Sequence, residues 1–129
     1  MLVLLFVTLC LSVCSLTTAQ TMTGQPRDIS TRNSKVWRAA QFAVRDFNHA
    51  HNHQPFSYKI LSVTSAKVQV VAGINYIMEV QLRRVCKKEL TKKCQSTPEE
   101  LHCSFTVTEI PWQGKRFVYR RNCVPQKHF

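Results

Sequence analysis

The chain has 129 residues and a formal net charge of +11, which supports one domain with a modest core and favours acidic partners. Anionic lipid, glycosaminoglycan or an acidic protein surface would suit that charge. No nucleic-acid-binding motif accompanies it, so no specific nucleic-acid partner is expected. The seven acidic residues show no paired carboxylates, and neither a Ser/His/Asp set nor a phosphate loop stands out, which argues against an enzyme.

The amino-terminal segment MLVLLFVTLCLSVCSLTTAQ has no charged side chain and ends in small residues. Its apolar run is too short to span a bilayer comfortably, and the small residues before Gln20 are typical of a signal-peptide cleavage site. We expect a signal peptide over residues 1–19, with cleavage near 19/20 or 20/21; a membrane anchor is the weaker alternative. The remaining residues, 20–129, would form a single secreted, extracellular domain.

Four cysteines remain after that cleavage: Cys86, Cys94, Cys103 and Cys123. An even number in an exported chain of this size predicts two disulfides. Three pairings are open, and the sequential one closes short loops that each fit a hairpin. The spacing matches no zinc motif, so we expect neither a metal site nor a cofactor.

The polar segment 21–34, with Gly24 and Pro26, is expected to be an extended arm. The next segment, KVWRAAQFAVRDFNHAH, places six apolar residues on one face of a helix: Val36, Ala39, Ala40, Ala43, Val44 and Phe47. Asn33 or Ser34 can cap its start. Because this face is rich in alanine, we expect the helix to pack closely on a sheet.

After Pro55 the apolar period changes to two, which predicts strands in FSYKILSV, INYIMEVQL, LHCSFTV and RFVYRRNCV. The phase of the first strand slips at Leu61, as a β-bulge would cause. One long helix followed by a meander of hairpins gives an α+β fold. The helix would pack across a curved antiparallel sheet of four to five strands.

Two turns in this plan are unusual because they are apolar. QVVAG offers Val70 and Val71 at a hairpin tip, and Gly73 lets the backbone turn tightly or approach another surface. In IPWQGKRF, Pro111 and Trp112 occupy the turn between the last two strands, and an exposed Trp is a favoured binding anchor. Both turns should lie at one end of the sheet.

Gly24, the QVVAG loop, the PWQG turn and four cysteines in that order resemble the type 2 cystatins, from about Met22 to Cys123. MTGQPRDIS and RNCV look closest to the cystatin M/E branch. The resemblance implies a cystatin-like fold and reversible, tight inhibition of papain-like cysteine proteases, the cathepsins. It also implies a protease-binding wedge that enters the active-site cleft and needs no nucleophile. The wedge would comprise Gly24, Gln69, Val70, Val71, Ala72, Gly73, Pro111 and Trp112.

Two further expectations come from the same resemblance. Residues 21–23 before Gly24 are more polar than the usual Leu-Val of the family, so binding to arm-dependent proteases such as cathepsin B should be weaker. Some type 2 cystatins also inhibit legumain through an Asn in the loop after the helix. Asn52 stands at that place between His51 and His53, both of which differ from the family pattern; a turn residue is the alternative reading of Asn52.

The main competing hypothesis is a non-inhibitory, basic protein of the same fold that acts in host defence or binds a polyanion. The apolar loop and the exposed Pro-Trp turn favour the inhibitor, because a chain without that function has no reason to keep both. Weak polyanion binding by the basic surface is compatible with either. We expect a monomer, with a dimer formed by exchange of the helix and first strands as the alternative.

Overall fold

The computed structural model describes residues 24–87, Cys94 and residues 98–126. The predicted signal peptide and residues 21–23 of the arm lie outside this part of the chain. Its main elements are a long helix, α1 (Ser34–Ala50), and five strands. The strands are β1 (Arg27–Asp28), β2 (Phe56–Val71), β3 (Gly73–Cys86), β4 (Glu100–Ile110) and β5 (Lys115–Pro125). No helix in this part is long and apolar enough to cross a bilayer.

Helix α1 forms where the apolar stripe predicted it. Asn33 is the cap, and its side-chain oxygen accepts a hydrogen bond of 2.9 Å from the backbone N–H of Lys35. The six predicted stripe residues are all buried. At the carboxyl end, the amide of Asn48 donates to the carbonyl of Tyr58 (2.8 Å) and its oxygen accepts from the N–H of Tyr58 (2.9 Å). These two bonds attach the last helical turn to the start of β2.

The five strands form one antiparallel sheet in the order β1-β2-β3-β4-β5. The register of β2 shifts between Ile60 and Ser62 and again between Val63 and Ser65. The first shift confirms the bulge predicted at Leu61, and such shifts increase the bend and twist of a strand. The segment predicted as an extended arm contributes a short edge strand, β1, that pairs with β2.

The core lies between α1 and one face of the sheet. Alternate residues of β3 and β4 face the helix and are almost fully buried, as the period of two predicted; these include Met78, Val80, Leu82, Cys103, Phe105 and Val107. The opposite face is polar. There the Glu79 carboxylate accepts hydrogen bonds from the Ser104 hydroxyl (2.8 and 2.9 Å) and contacts the His102 ring (2.7 Å).

The cysteines pair sequentially, Cys86 with Cys94 and Cys103 with Cys123. This is the pairing, among the three open ones, whose loops fit hairpins. Cys103 and Cys123 are directly opposite in the β4–β5 ladder, so their disulfide ties the last strand to the sheet.

Candidate functional site

Three segments of the chain meet at one end of the sheet, where β2 and β4 finish. The first hairpin turns at residues 71–73, directly beyond the register pair Val70–Ile74 of β2 and β3. The second hairpin turns beyond the pair Ile110–Lys115 of β4 and β5. Because Ile74 of β3 pairs with Glu109 of β4, the two turns are neighbours at the same end of the sheet. Gly24 lies against the other side of the first hairpin.

The first hairpin exposes apolar side chains at its tip. Val70 is 55% exposed and Val71 is 48% exposed, and Ala72 beside them is exposed as well. Neighbouring apolar groups on a hairpin tip are unfavourable in water unless a partner covers them. The tip therefore offers an apolar contact surface with a rigid ladder of backbone hydrogen bonds beneath it.

Gln69 and Gly24 hold the amino-terminal arm against this hairpin. The side-chain amide of Gln69 donates a hydrogen bond to the carbonyl oxygen of Gly24. Gly24 has a φ of +113°, and a Cβ at this position would lie 3.4 Å from the carbonyl oxygen of Val70. Both residues thus have a role within the molecule, which is to set where the arm leaves the sheet.

Gly73 is needed by the fold itself. It is buried and has a φ of +130°, which disfavours any residue with a Cβ. A Cβ there would come within 2.9 Å of the carbonyl oxygen of Glu109 on β4. The sequence predicts that the backbone at Gly73 turns tightly or approaches another surface closely. In the structure this backbone lies close to β4, the neighbouring strand of the same chain.

The second hairpin presents Trp112 on a short 3₁₀ turn, Pro111–Gln113. Pro111 begins the turn, where its fixed φ is favourable, and Gly114 closes it in the left-handed conformation with φ 62°. The N–H of Gly114 donates to the carbonyl of Pro111 at 3.1 Å. Trp112 is 69% exposed, the largest exposed fraction among the large apolar residues of the described chain.

Side-chain contacts below the turns stiffen this end of the sheet. The Thr108 hydroxyl donates to the Asn75 side-chain oxygen at 2.7 Å, which links β4 to β3. The guanidinium of Arg116 lies 3.4 Å from the Glu109 carboxylate and over the ring of Phe42 on α1. Preorganised hairpins lose little entropy on binding a partner, so the arrangement is suited to insertion into a preformed cleft.

Asn52 lies at the opposite end of the molecule. It follows α1 in an exposed turn, beyond which β2 begins at Phe56, whereas the hairpin tips lie at the other end of β2. His51 orders this turn, because its ring Nδ1 is 2.8 Å from the carbonyl of Phe47. The backbone carbonyl of Asn52 accepts a hydrogen bond from Lys87 at 3.3 Å, and its side chain has no hydrogen-bond partner within the described residues.

Among the residues that the structure describes, no group of three His, Cys, Asp or Glu side chains is placed to hold a metal ion. The two hairpin turns themselves carry apolar side chains and backbone groups rather than nucleophiles. Its chemistry is therefore that of a binding surface.

The sequence predicts that the two turns lie at one end of the sheet, but it did not reveal three contacts. These are the bond from Gln69 to Gly24, the contact of Gly73 with β4 and the pairing of β1 with β2. The last had one available signal, the Gly24 and Pro26 pattern of an extended segment. The other two join positions that are far apart in the sequence and leave no local pattern.

Comparison with known proteins agrees with this architecture. The cystatin domain matches residues 24–112. Human cystatin-C is 32% identical over 110 residues, covering 79% of this chain and 75% of that protein. The cystatin of Coturnix japonica is 33% identical over 108 residues, covering 78% and 92%.

A crystal structure of dimeric human cystatin F superposes with a TM-score of 0.67 at 29% identity, over 84% of this chain and 93% of that one. The fold, the two disulfides and the matched sequence are those of a family of cysteine protease inhibitors, which are not enzymes. The chain therefore belongs to the type 2 cystatins.

Proposed function

We propose that this protein is a secreted, reversible, tight-binding inhibitor of papain-like cysteine proteases. In this proposal the wedge of arm and two hairpins fills the active-site cleft and blocks access to it. The observation that carries the proposal is that Gly24, the QVVAG tip and the Pro111–Trp112 turn meet at one end of the sheet. Val70, Val71 and Trp112 are exposed there.

Each apolar side chain of the wedge has a physical role in this account. Val70, Val71 and Trp112 lose water contact on entering an apolar cleft, which is favourable by about 25 cal/mol per Å² of apolar area. The hairpins are already ordered by their ladders, so little conformational entropy is lost on binding. Since no covalent bond forms, the inhibitor is expected to dissociate intact.

A charge placed in the tip tests this role. Val71→Asp would bring an unpaired carboxylate into a dry cleft, and we expect the inhibition constant for papain to rise about 100-fold or more. The matched control is Leu61→Asp, at an exposed apolar residue of the β2 bulge, 47% exposed and outside the wedge. It should leave inhibition unchanged. Equal inhibition by Val71→Asp and the unmodified protein would refute the wedge.

A second activity, inhibition of legumain through Asn52, is also proposed. The favouring observation is that Asn52 is exposed on an ordered turn at the end of the molecule opposite the wedge. Asn52→Lys should abolish legumain inhibition and leave papain inhibition intact. Trp112→Ala should weaken papain inhibition and leave legumain inhibition intact. Undiminished legumain inhibition by Asn52→Lys would end the proposal.

A dimer formed by exchange of α1 and the first strands is proposed as a minor state, with residues 71–73 as the hinge. The positive φ of Gly73 in this short turn supports a hinge there. Such a dimer would open the first hairpin and lose papain inhibition. Size-exclusion chromatography followed by assay of each fraction tests it, and a fully inhibitory dimer would contradict it.

Two further assignments remain proposals: kinship with the M/E branch, and weaker binding of arm-dependent proteases because residues 21–23 are polar. The weaker binding can be tested by removing the residues before Gln25. This truncation should weaken inhibition of cathepsin B less than the same truncation does in relatives with an apolar arm. A large loss on truncation would contradict it.

A further inference from the structure

A cationic cleft lies between the first turns of α1 and the base of the second hairpin. It has a volume of about 220 Å³ and includes three basic side chains, Lys35, Arg38 and Arg116, with Glu109 and Tyr76 also in its lining. Glu109 is within 3.4 Å of Arg116. Lys35 and Arg38 have no acidic partner within the described part of the chain. The cleft therefore has a net positive charge, because its three basic side chains outnumber its one carboxylate.

The helix adds to this positive potential. The first turn of α1 has no acidic residue and contains Lys35, with Arg38 close behind. Cations at a helix amino terminus are unfavourable because the macrodipole is positive there. Such an arrangement is stabilised when an anion binds, since the ligand then meets the dipole and the side-chain charges together.

Tyr76 supplies an independent sign of a ligand. The residue is only 3% exposed, and its hydroxyl has no hydrogen-bond partner among the described residues. It lines the cleft together with Glu109 and Arg116, and burial raises its pKa. Buried hydroxyls are normally paired, so this one is available to donate to a bound oxygen atom.

A second cleft of about 420 Å³ adjoins the first and shares Glu109, Pro111 and Arg116 with it. It adds another cation, Lys115, and the ring of Phe42. A ligand that follows both clefts must be narrow and must repeat its negative charge along its length. A folded acidic surface could reach the exposed cations but would leave the buried hydroxyl of Tyr76 unpaired.

We propose that the cationic cleft binds a sulfate group of a linear sulfated polysaccharide, with Lys35, Arg38 and Arg116 contacting its oxygens and Tyr76 donating a hydrogen bond to it. The next anionic group of the chain would lie by Lys115. None of the four side chains assigned to the sulfate belongs to the wedge, although Pro111 of the wedge also lines the cleft. The binding does not depend on protease inhibition.

The probe is a heparin hexasaccharide, titrated calorimetrically into the disulfide-bonded protein at about 0.15 M salt. Lys35→Gln/Arg38→Gln should weaken binding about tenfold or more, because charge-assisted hydrogen bonds are lost. The matched control, Lys59→Gln/Lys67→Gln, removes the same charge from exposed positions of β2 outside the cleft and should change binding less than about threefold.

Tyr76→Phe distinguishes a built site from general attraction, since it alters no charge. It should weaken binding about threefold or more, and far-UV circular dichroism verifies that each variant is folded. Equal losses in the two double variants, or no loss in Tyr76→Phe, would overturn the proposal. Binding of inorganic sulfate as tightly as the hexasaccharide would also overturn it, because the site would then serve a small anion.

Discussion

Trp112 provides the most informative single substitution. It is 69% exposed in the free protein, so about 140 Å² of its surface is available for burial in a partner. At 25 cal/mol per Å², burying that surface would contribute up to about 3.5 kcal/mol. Allowing for the surface that an alanine still buries, Trp112→Ala should raise the inhibition constant for papain about 30- to 300-fold.

The assay is steady-state inhibition of papain by the disulfide-bonded protein. Stability should change by less than about 0.5 kcal/mol, because Trp112 makes no core contact. The matched control is Tyr119→Ala, which removes an aromatic ring of 65% exposure from β5, away from the turn. A Trp112→Ala protein that inhibits as tightly as the unmodified one, or an equal loss in Tyr119→Ala, would show that Trp112 is not the binding anchor of the second hairpin.

Three other predictions concern the scaffold. Gly73→Ala should lower the free energy of unfolding by about 2–4 kcal/mol in chemical denaturation, because it combines strain with a backbone clash; Gly114→Ala, with open space around it, should lose about half as much or less. Losing the Cys103–Cys123 disulfide through serine substitutions should cost about 3 kcal/mol, and an unchanged midpoint would contradict this. Burial raises the pKa of Tyr58, so its contribution to stability is complete below pH 10 and falls above it; Tyr58→Phe should flatten that alkaline fall, and an identical fall would refute the assignment.

The sequence predicted most of the fold because its signals are local and periodic. The stripe from Val36 to Phe47 and the alternation from Tyr76 to Leu82 each follow from one element facing one core. The bulge at Leu61 was visible as a phase slip. The disulfide pairing stayed open because sequence spacing alone does not say which strands are neighbours.

What the sequence could not predict depends on contacts between distant segments. The role of Gly73 follows from a carbonyl group on β4, and that of Gln69 from the arm that precedes the helix. The cationic cleft likewise combines Arg38 with Arg116, from opposite ends of the domain. Charge composition showed an excess of basic residues but could not show that some of them line one cleft with the buried Tyr76.

Titration of active papain with the disulfide-bonded protein would show directly whether the wedge blocks the protease. We expect activity to fall linearly to zero at one-to-one stoichiometry, with a dissociation constant of about 1 nM or below, and the inhibitor to be recovered with unchanged mass. A folded, monodisperse sample that leaves papain fully active at large molar excess would contradict it.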